Sequence, residues 1–330
     1  MKKRFIYVDA LRGFCIILII VFHSKFTVIN RDVNLMLIHL RVPMFFVLSG
    51  LFFKRYGCFR EFIMRKVNQL VVPYFFFAYI PFCLFSYFYT DRYADPLFYL
   101  GAAIKPWNYP LWFLRSLFLT YVFYYVFDKY TENRPKWLQT LIIAIIVTAG
   151  WYITLVVENL KPTHPTLKDC EFIIHDLHQS LKAMLYFFLA QQIKKKGWLD
   201  FHFNWTYTII LSVATLLLAY AFRQNRVILY SSGYVQHIVF AYISSFSFIF
   251  SLAVLFAKMK HTRMLEYFGK NSIIVLGCHY LIIIILNSNF IMPPYAVFLI
   301  TFFLMFPCFL IFKKYFSKWI GHEEMFKSKV

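Results

Sequence analysis

The chain is 330 residues long, 61% hydrophobic and 22% aromatic, with only 15% charged residues. A soluble domain carries about 25% charged residues, so this composition excludes an ordinary water-soluble globule and points to a bilayer as solvent. The net charge of +20 would suit nucleic acid, but the basic residues sit in short clusters between long apolar runs, which is the layout of a polytopic membrane protein.

A helix crosses the hydrocarbon with about 20 apolar residues. Ten runs qualify in chain order: 10–28, 34–53, 71–90, 111–127, 138–157, 180–193, 205–222, 237–257, 271–288 and 293–312. The first follows a basic start that resembles a signal peptide. Asp9 and Arg12 interrupt it and no small-residue cleavage site follows, so it reads as an uncleaved span. Lys54 to Leu70 mixes basic and apolar residues at helical spacing, which predicts an amphipathic helix on the membrane surface. The stretch 158–179 reads as a polar loop on the opposite side, with His164, Asp169, Glu171, His175, Asp176 and His178 open to an external substrate. None of these residues, nor the six cysteines, shows a recognised metal-ligand spacing, so neither a metal site nor a disulfide framework is expected.

Loop charge sets the orientation. The segments 1–12, 54–70, 128–137, 194–204, 258–270 and 313–330 hold 24 Lys and Arg, and the alternate loops hold 8. The basic set belongs in the cytoplasm, and both termini fall in it, as an even number of spans requires. The expectation is an all-α polytopic membrane protein of about ten transmembrane helices. It forms one domain over residues 1–330, with N- and C-termini cytoplasmic and an amphipathic cytoplasmic helix near 54–70.

Ionisable groups within spans point to function. Arg12 and His23 are eleven residues apart, which at about 100° per residue puts them on one helical face, with Asp9 within about 40° of it. Arg12 would lie at the cytoplasmic edge and His23 about 16 Å deeper. An Arg there suits a phosphate, and a His suits proton transfer near neutral pH. A snorkelling anchor and a packing histidine would give the same pattern. Further polar residues are Arg41 in the second span, Trp112, Arg115, Ser116 and Thr120 in the fourth, Lys182 in the sixth, and Asn271, Ser272 and His279 in the ninth. Together they favour a central polar cavity. Trp112 suits either sugar stacking or the interfacial aromatic belt.

These residues fall in a pattern that resembles the acyltransferase 3 family of integral membrane acyltransferases. The resemblance is carried by YVDALRGFCIILIIVFH (7–23), with the D-x-x-R-G opening and the Arg12-to-His23 spacing, and by RVPMFFVLSGLFF (41–53). It continues through Arg65 and Lys66 leading to Pro73 and Tyr74, PLWFL (110–114), and FGKNSIIVLGCH (268–279). The last run is most similar to the small fucose 4-O-acetylase-like members. One departure stands out: where the family often has a second Arg three residues after the first, this chain has Asn68 after Arg65.

The resemblance implies an O-acyltransferase of the bacterial plasma (inner) membrane, without an appended soluble domain. The donor would be a cytoplasmic acyl-CoA, usually acetyl-CoA, and the acceptor a hydroxyl of an extracytoplasmic glycan or lipid-linked sugar. By this likeness His23, Arg12 and Asp9 would be catalytic, and Arg12, Arg65, Lys66 and Arg60 would hold the donor. Arg41, Trp112, Arg115, Ser116, Ser272 and His279 would face the substrates. A transporter or flippase of a lipid-linked saccharide is the rival reading, since it too would bury polar groups in many spans.

Overall fold

The protein is described from a computed structural model, which covers residues 5–25, 31–89, 109–160, 171–197, 204–225, 237–259 and 261–327. Among these residues there is no strand, as expected where every backbone polar group must be satisfied within its own segment. Each of the ten apolar runs is helical. They are α1 (Ile6–His23), α2 (Arg31–Leu51), α4 (Val72–Tyr89), α5 (Trp112–Thr131), α6 (Lys136–Leu160), α7 (Glu171–Lys195), α8 (Trp205–Ala221), α9 (Ile238–Lys258), α11 (Ser272–Asn289) and α12 (Pro294–Tyr315). Two short helices complete the set, α3 (Phe59–Lys66) and α10 (Arg263–Lys270). Seven of the helices are long and apolar enough to cross a membrane, and α8, at 17 residues, is apolar but shorter. The chain is an all-α integral membrane protein.

Three boundaries differ from expectation for physical reasons. The polar segment before residue 180 is not all loop: from Glu171 onward it is the first part of α7, so His175, Asp176 and His178 lie on a helix and are buried. Their polarity hid the helix from an apolar-window reading. The amphipathic stretch 54–70 is helical only from Phe59, where the Cys58 sulfur accepts from the Glu61 amide. It then continues through a wide π-type turn at Val67–Val71 directly into α4. The basic segment 258–270 contains α10, which eight residues mixing charged and apolar side chains did not announce. His164 and Asp169 lie outside the described residues.

The chain divides into two compact units. The first comprises Met1–Phe53, Arg134–Asn159 and Leu181–Ser272. Its tightest feature is the crossing of α1 and α10, where two glycines meet. A Cβ on Gly13 would overlap the Leu265 carbonyl, and one on Gly269 would overlap the Asp9 carbonyl. Small residues let membrane helices approach to backbone contact, and this explains the Gly of the D-x-x-R-G run. In the same unit Gln191 donates from Nε2 to the carbonyls of Gly50 and Phe53, closing the end of α2.

The second unit comprises Lys54–Asn133, Leu160–Ser180 and Ile273–Val330. Here Phe62 of α3 packs on Tyr125 of α5 at 4.6 Å between ring centroids, and Gly277 of α11 leaves room for the Phe77 ring. Beyond α12 the chain folds back as a strap. Trp319 stacks on Phe76 at 5.7 Å, Ile320 is buried, and Gly321 turns with φ of 73° against the Asn68 backbone. A side chain at that φ would be strained. Asn68, placed by the π-type turn, holds the strap's end. Its Nδ2 donates to the Phe326 carbonyl at 2.7 Å, and its Oδ1 accepts the amides of Met325 and Phe326 at 3.2 and 2.9 Å.

Candidate active site

In the first unit, α1 carries Asp9 in its first turn, Arg12 one turn on and His23 as its last residue, all half-buried. The apolar residues Leu11, Ile16 and Ile20 bury the rest of the helix, which fixes its rotation and the direction of the polar stripe. The His23 imidazole stands edge-on to the neighbouring Phe22 ring at 4.9 Å.

The same phenyl ring also meets α2. The Arg41 guanidinium lies over Phe22 at 4.4 Å from the ring centroid. Arg41 is only 4% exposed. Its Nη2 donates to the Asn34 side-chain oxygen at 2.9 Å and to the Asn34 carbonyl at 3.3 Å, one face down the same helix. Its buried Nη1 has no hydrogen-bond partner among the described residues. Two residues before it, on the opposite side of α2, His39 Nε2 meets the Phe222 carbonyl at 3.0 Å and Nδ1 lies 3.5 Å from Ser245 Oγ.

A second buried cation stands in this unit. Lys182 of α7 is 2% exposed, with its ammonium over the Trp151 ring at 4.5 Å. The Tyr242 hydroxyl donates to the Lys182 carbonyl at 2.9 Å, and Tyr242 packs against Tyr186. Ser272 is the first residue of α11 and half-buried, and Asn271 before it is fully buried, donating to the Tyr267 carbonyl at 2.7 Å.

The second unit builds a different polar cluster. Arg115 of α5 pairs with Asp176 of α7, Nε to Oδ2 at 2.6 Å, and its Nη1 donates to the Tyr74 hydroxyl of α4 at 3.0 Å. Ser116 donates to Asp176 Oδ1 at 3.3 Å. His175 Nδ1 lies 3.5 Å from the same oxygen, with its Nε2 3.3 Å from the Gln179 amide nitrogen and the Trp112 ring edge-on at 5.2 Å. Trp112, Arg115 and Ser116 are thus brought together around Asp176, a residue that sequence reasoning placed in a loop. The signal that would have found it was Arg115 itself, since an in-span guanidinium requires a counter-ion.

His279 is fully buried in α11, with Nδ1 donating to the Val275 carbonyl at 2.6 Å. Among the described residues no group of three His, Cys, Asp or Glu side chains is placed to hold a metal.

The basic residues of α3 behave unequally. Arg60 is exposed. Lys66 is buried, donates to Gln69 Oε1 at 3.0 Å and lies over the Tyr121 ring at 3.8 Å. Arg65 is held by carboxylates on two sides, Glu61 at 3.0 Å one turn back and Glu324 of the strap at 3.5 Å. Asn68, standing where an Arg would extend this basic group, secures the strap instead. Nearby, the hydrogen bond that Arg55 donates to the Glu132 carboxylate holds its guanidinium above the ordinary range, with Asp128 adding to it. Asp9, Arg12, His23 and Arg41 fall in the first unit and Arg60, Arg65, Lys66, Arg115 and His279 in the second.

A family model described as an acyltransferase domain, that of the acyltransferase 3 family, matches residues 5–314. No curated protein and no solved structure matches the chain.

Proposed function

The chain belongs to the acyltransferase 3 family and is an integral membrane acyltransferase; from that premise we propose that it is an O-acetyltransferase of a cell-surface glycan. In this reading acetyl-CoA is the cytoplasmic donor, and a hydroxyl of an extracytoplasmic glycan or lipid-linked sugar is the acceptor. The observation that carries it is the polar stripe of α1: Arg12 and His23 share a helical face inside the region that the family model matches.

The donor supplies an activated acyl thioester. Its phosphates suit the basic residues of α3, Arg60, Arg65 and Lys66, since guanidinium and ammonium groups form charge-assisted hydrogen bonds to phosphate oxygens. Arg60 is exposed for this purpose, whereas Arg65 must exchange Glu324 for a phosphate. His23 accepts the proton of the acceptor hydroxyl, so that the oxygen can attack the acyl carbon. The same proton is then available to the departing thiolate, leaving His23 as it began. Asp9 and Arg12 complete the charged end of the stripe. The termini lie in the cytoplasm in this reading, with the basic loops, and the site of expression is the bacterial plasma membrane.

Mass analysis of surface glycans from cells with and without the protein tests the proposal. The expected result is one acetyl group per modified residue, present only with the protein. Identical glycans, with loss of lipid-linked saccharide export instead, would favour the flippase reading.

A further inference from the structure

Arg41 poses a question of charge. It sits ten residues from each end of the 21-residue helix α2, about 15 Å from either end by helical rise. A guanidinium does not shed its proton in a protein, so this one is a fixed positive charge in the interior. Its Asn34 contacts are neutral, its Phe22 contact is a ring face, and Nη1 has no partner among the described residues. No carboxylate among the described residues pairs with it. Buried charges are stable when paired, and an unpaired one marks a place where a counter-charge arrives from elsewhere.

Lys182 repeats the pattern in the same unit. It lies eleven residues into the 25-residue helix α7, 2% exposed, with a Trp ring and no carboxylate as its described neighbour. Among the described residues none of the unit's carboxylates pairs with Arg41 or Lys182: Asp32 is taken by Arg223 at 2.8 Å, Glu266 by Thr262 and Lys270, and neither Asp9 nor Glu158 forms an ion pair with these two cations. Arg41 is therefore a positive charge in the interior of the first unit with no carboxylate paired to it among the described residues. An uncharged acceptor would leave it unneutralised during the reaction.

We propose that the acceptor is an acidic sugar, and that Arg41 Nη1 binds its carboxylate. The proposal rests on the acyl-transfer reading for the word acceptor, but the anion site itself does not. The position suits the role. Phe22 contacts both groups, the Arg41 guanidinium at 4.4 Å and the His23 imidazole at 4.9 Å, so a sugar held at Arg41 by its carboxylate lies within about one sugar ring's reach of the base. Nη2 is fixed by two contacts to Asn34, which leaves the planar fork oriented and Nη1 as its open donor.

The test uses the purified full-length protein in detergent, with glucuronate, glucose and inorganic phosphate as probes in a thermal-shift titration. Glucuronate is expected to stabilise the wild type while glucose at the same concentration does not. Arg41→Gln should weaken glucuronate binding by roughly ten- to a hundredfold, the scale of one charge-assisted hydrogen bond. Stabilisation by phosphate alone would assign Arg41 to the donor's phosphates and overturn the proposal. So would equal binding of glucuronate and glucose, or glucuronate binding unchanged in the variant.

Should Arg41→Gln not fold, the wild-type contrast still decides. Arg41→Lys then serves as the second variant, with reduced but measurable glucuronate binding expected. In transfer assays, a uronate-containing oligosaccharide should be preferred over its carboxyl-reduced form, and that preference should shrink in Arg41→Lys. Glucuronate binding without acyl transfer to any acceptor would sink the acyl-transfer reading and leave the anion site standing.

Discussion

Asp176 is the counter-ion of Arg115, and removing either one alone should be far costlier than removing both. The Arg115 Nε to Asp176 Oδ2 distance is 2.6 Å, and the side chains are 19% and 6% exposed. Replacing Asp176 with Asn keeps the shape and the hydrogen bond from Ser116 but removes the charge. Arg115 would lose its ion pair and keep neutral contacts, among them the Tyr74 hydroxyl at 3.0 Å and the Phe172 ring. Breaking one side of a buried pair typically costs about 3–5 kcal/mol, whereas replacing the whole pair by apolar side chains of similar volume is often near neutral. Arg115 is not wholly buried, so the lower end of that range applies.

The assay is a double-mutant cycle of Asp176→Leu and Arg115→Met, read as unfolding midpoints in detergent. A loss of 3 kcal/mol should lower the midpoint by about 6–12 °C at 2–4 °C per kcal/mol. Each single variant should lose that much and the double variant much less, giving a coupling of at least about 2 kcal/mol. Additive losses in the two single variants would refute the reasoning, because they would show that the two charges do not depend on each other.

Other outcomes follow from the same structure. Gly13→Val should cost about 3 kcal/mol or more, the upper range for forced overpacking, because its Cβ overlaps backbone atoms of α10; near-normal yield and midpoint would contradict the α1–α10 contact. Glu324→Gln should raise donor affinity by up to about fivefold, the limit for a partly exposed ion pair, and unchanged affinity in binding titrations would remove Arg65 from the donor site. Partial burial and the Lys313 ammonium lower the His322 value below its ordinary range. Its neutral form is therefore the one that fits the fold. Strap docking should be complete above about pH 6.5 and weaken as the pH falls through the lowered value. Hydrogen exchange of residues 317–327 at pH 7.5 and pH 5 should show this, and equal protection at both would contradict it.

Much of the fold was legible because hydropathy is a coarse signal and this chain is written in it. All ten apolar runs are helical. The reading faltered where a helix is polar on purpose. In α7, His175, Asp176, Gln179 and Ser180 serve a buried network, and each lowers the apolar score of the helix that carries it. Short α10 was invisible for another reason. Eight residues bury little by themselves, and what holds them is the glycine contact with α1, which one strand of sequence does not reveal.

The site divides in the same way. Residues on a single helix, Asp9, Arg12 and His23, are placed by arithmetic alone, and so is the reach of Arg41 to Asn34, seven residues back on the same face. Partners on distant elements were not legible. Asp176 for Arg115 is 61 positions away, and Glu324 for Arg65 lies near the other end of the chain. Asn68 looked like a loss of positive charge in the basic segment, and its carboxamide instead secures the strap with three hydrogen bonds.

The central claim is that His23 moves the proton of an acyl transfer. The most direct test compares wild type with His23→Gln, which keeps hydrogen bonding but takes no proton at neutral pH. Release of free CoA from acetyl-CoA is followed together with the mass of the acceptor. The account predicts acceptor-dependent CoA release and a matching acetyl mass increment in the wild type, and a rate lower by about 10²–10⁴-fold in the variant, the usual contribution of a general base. A folded His23→Gln protein that transfers acetyl groups within a few-fold of the wild-type rate would contradict it.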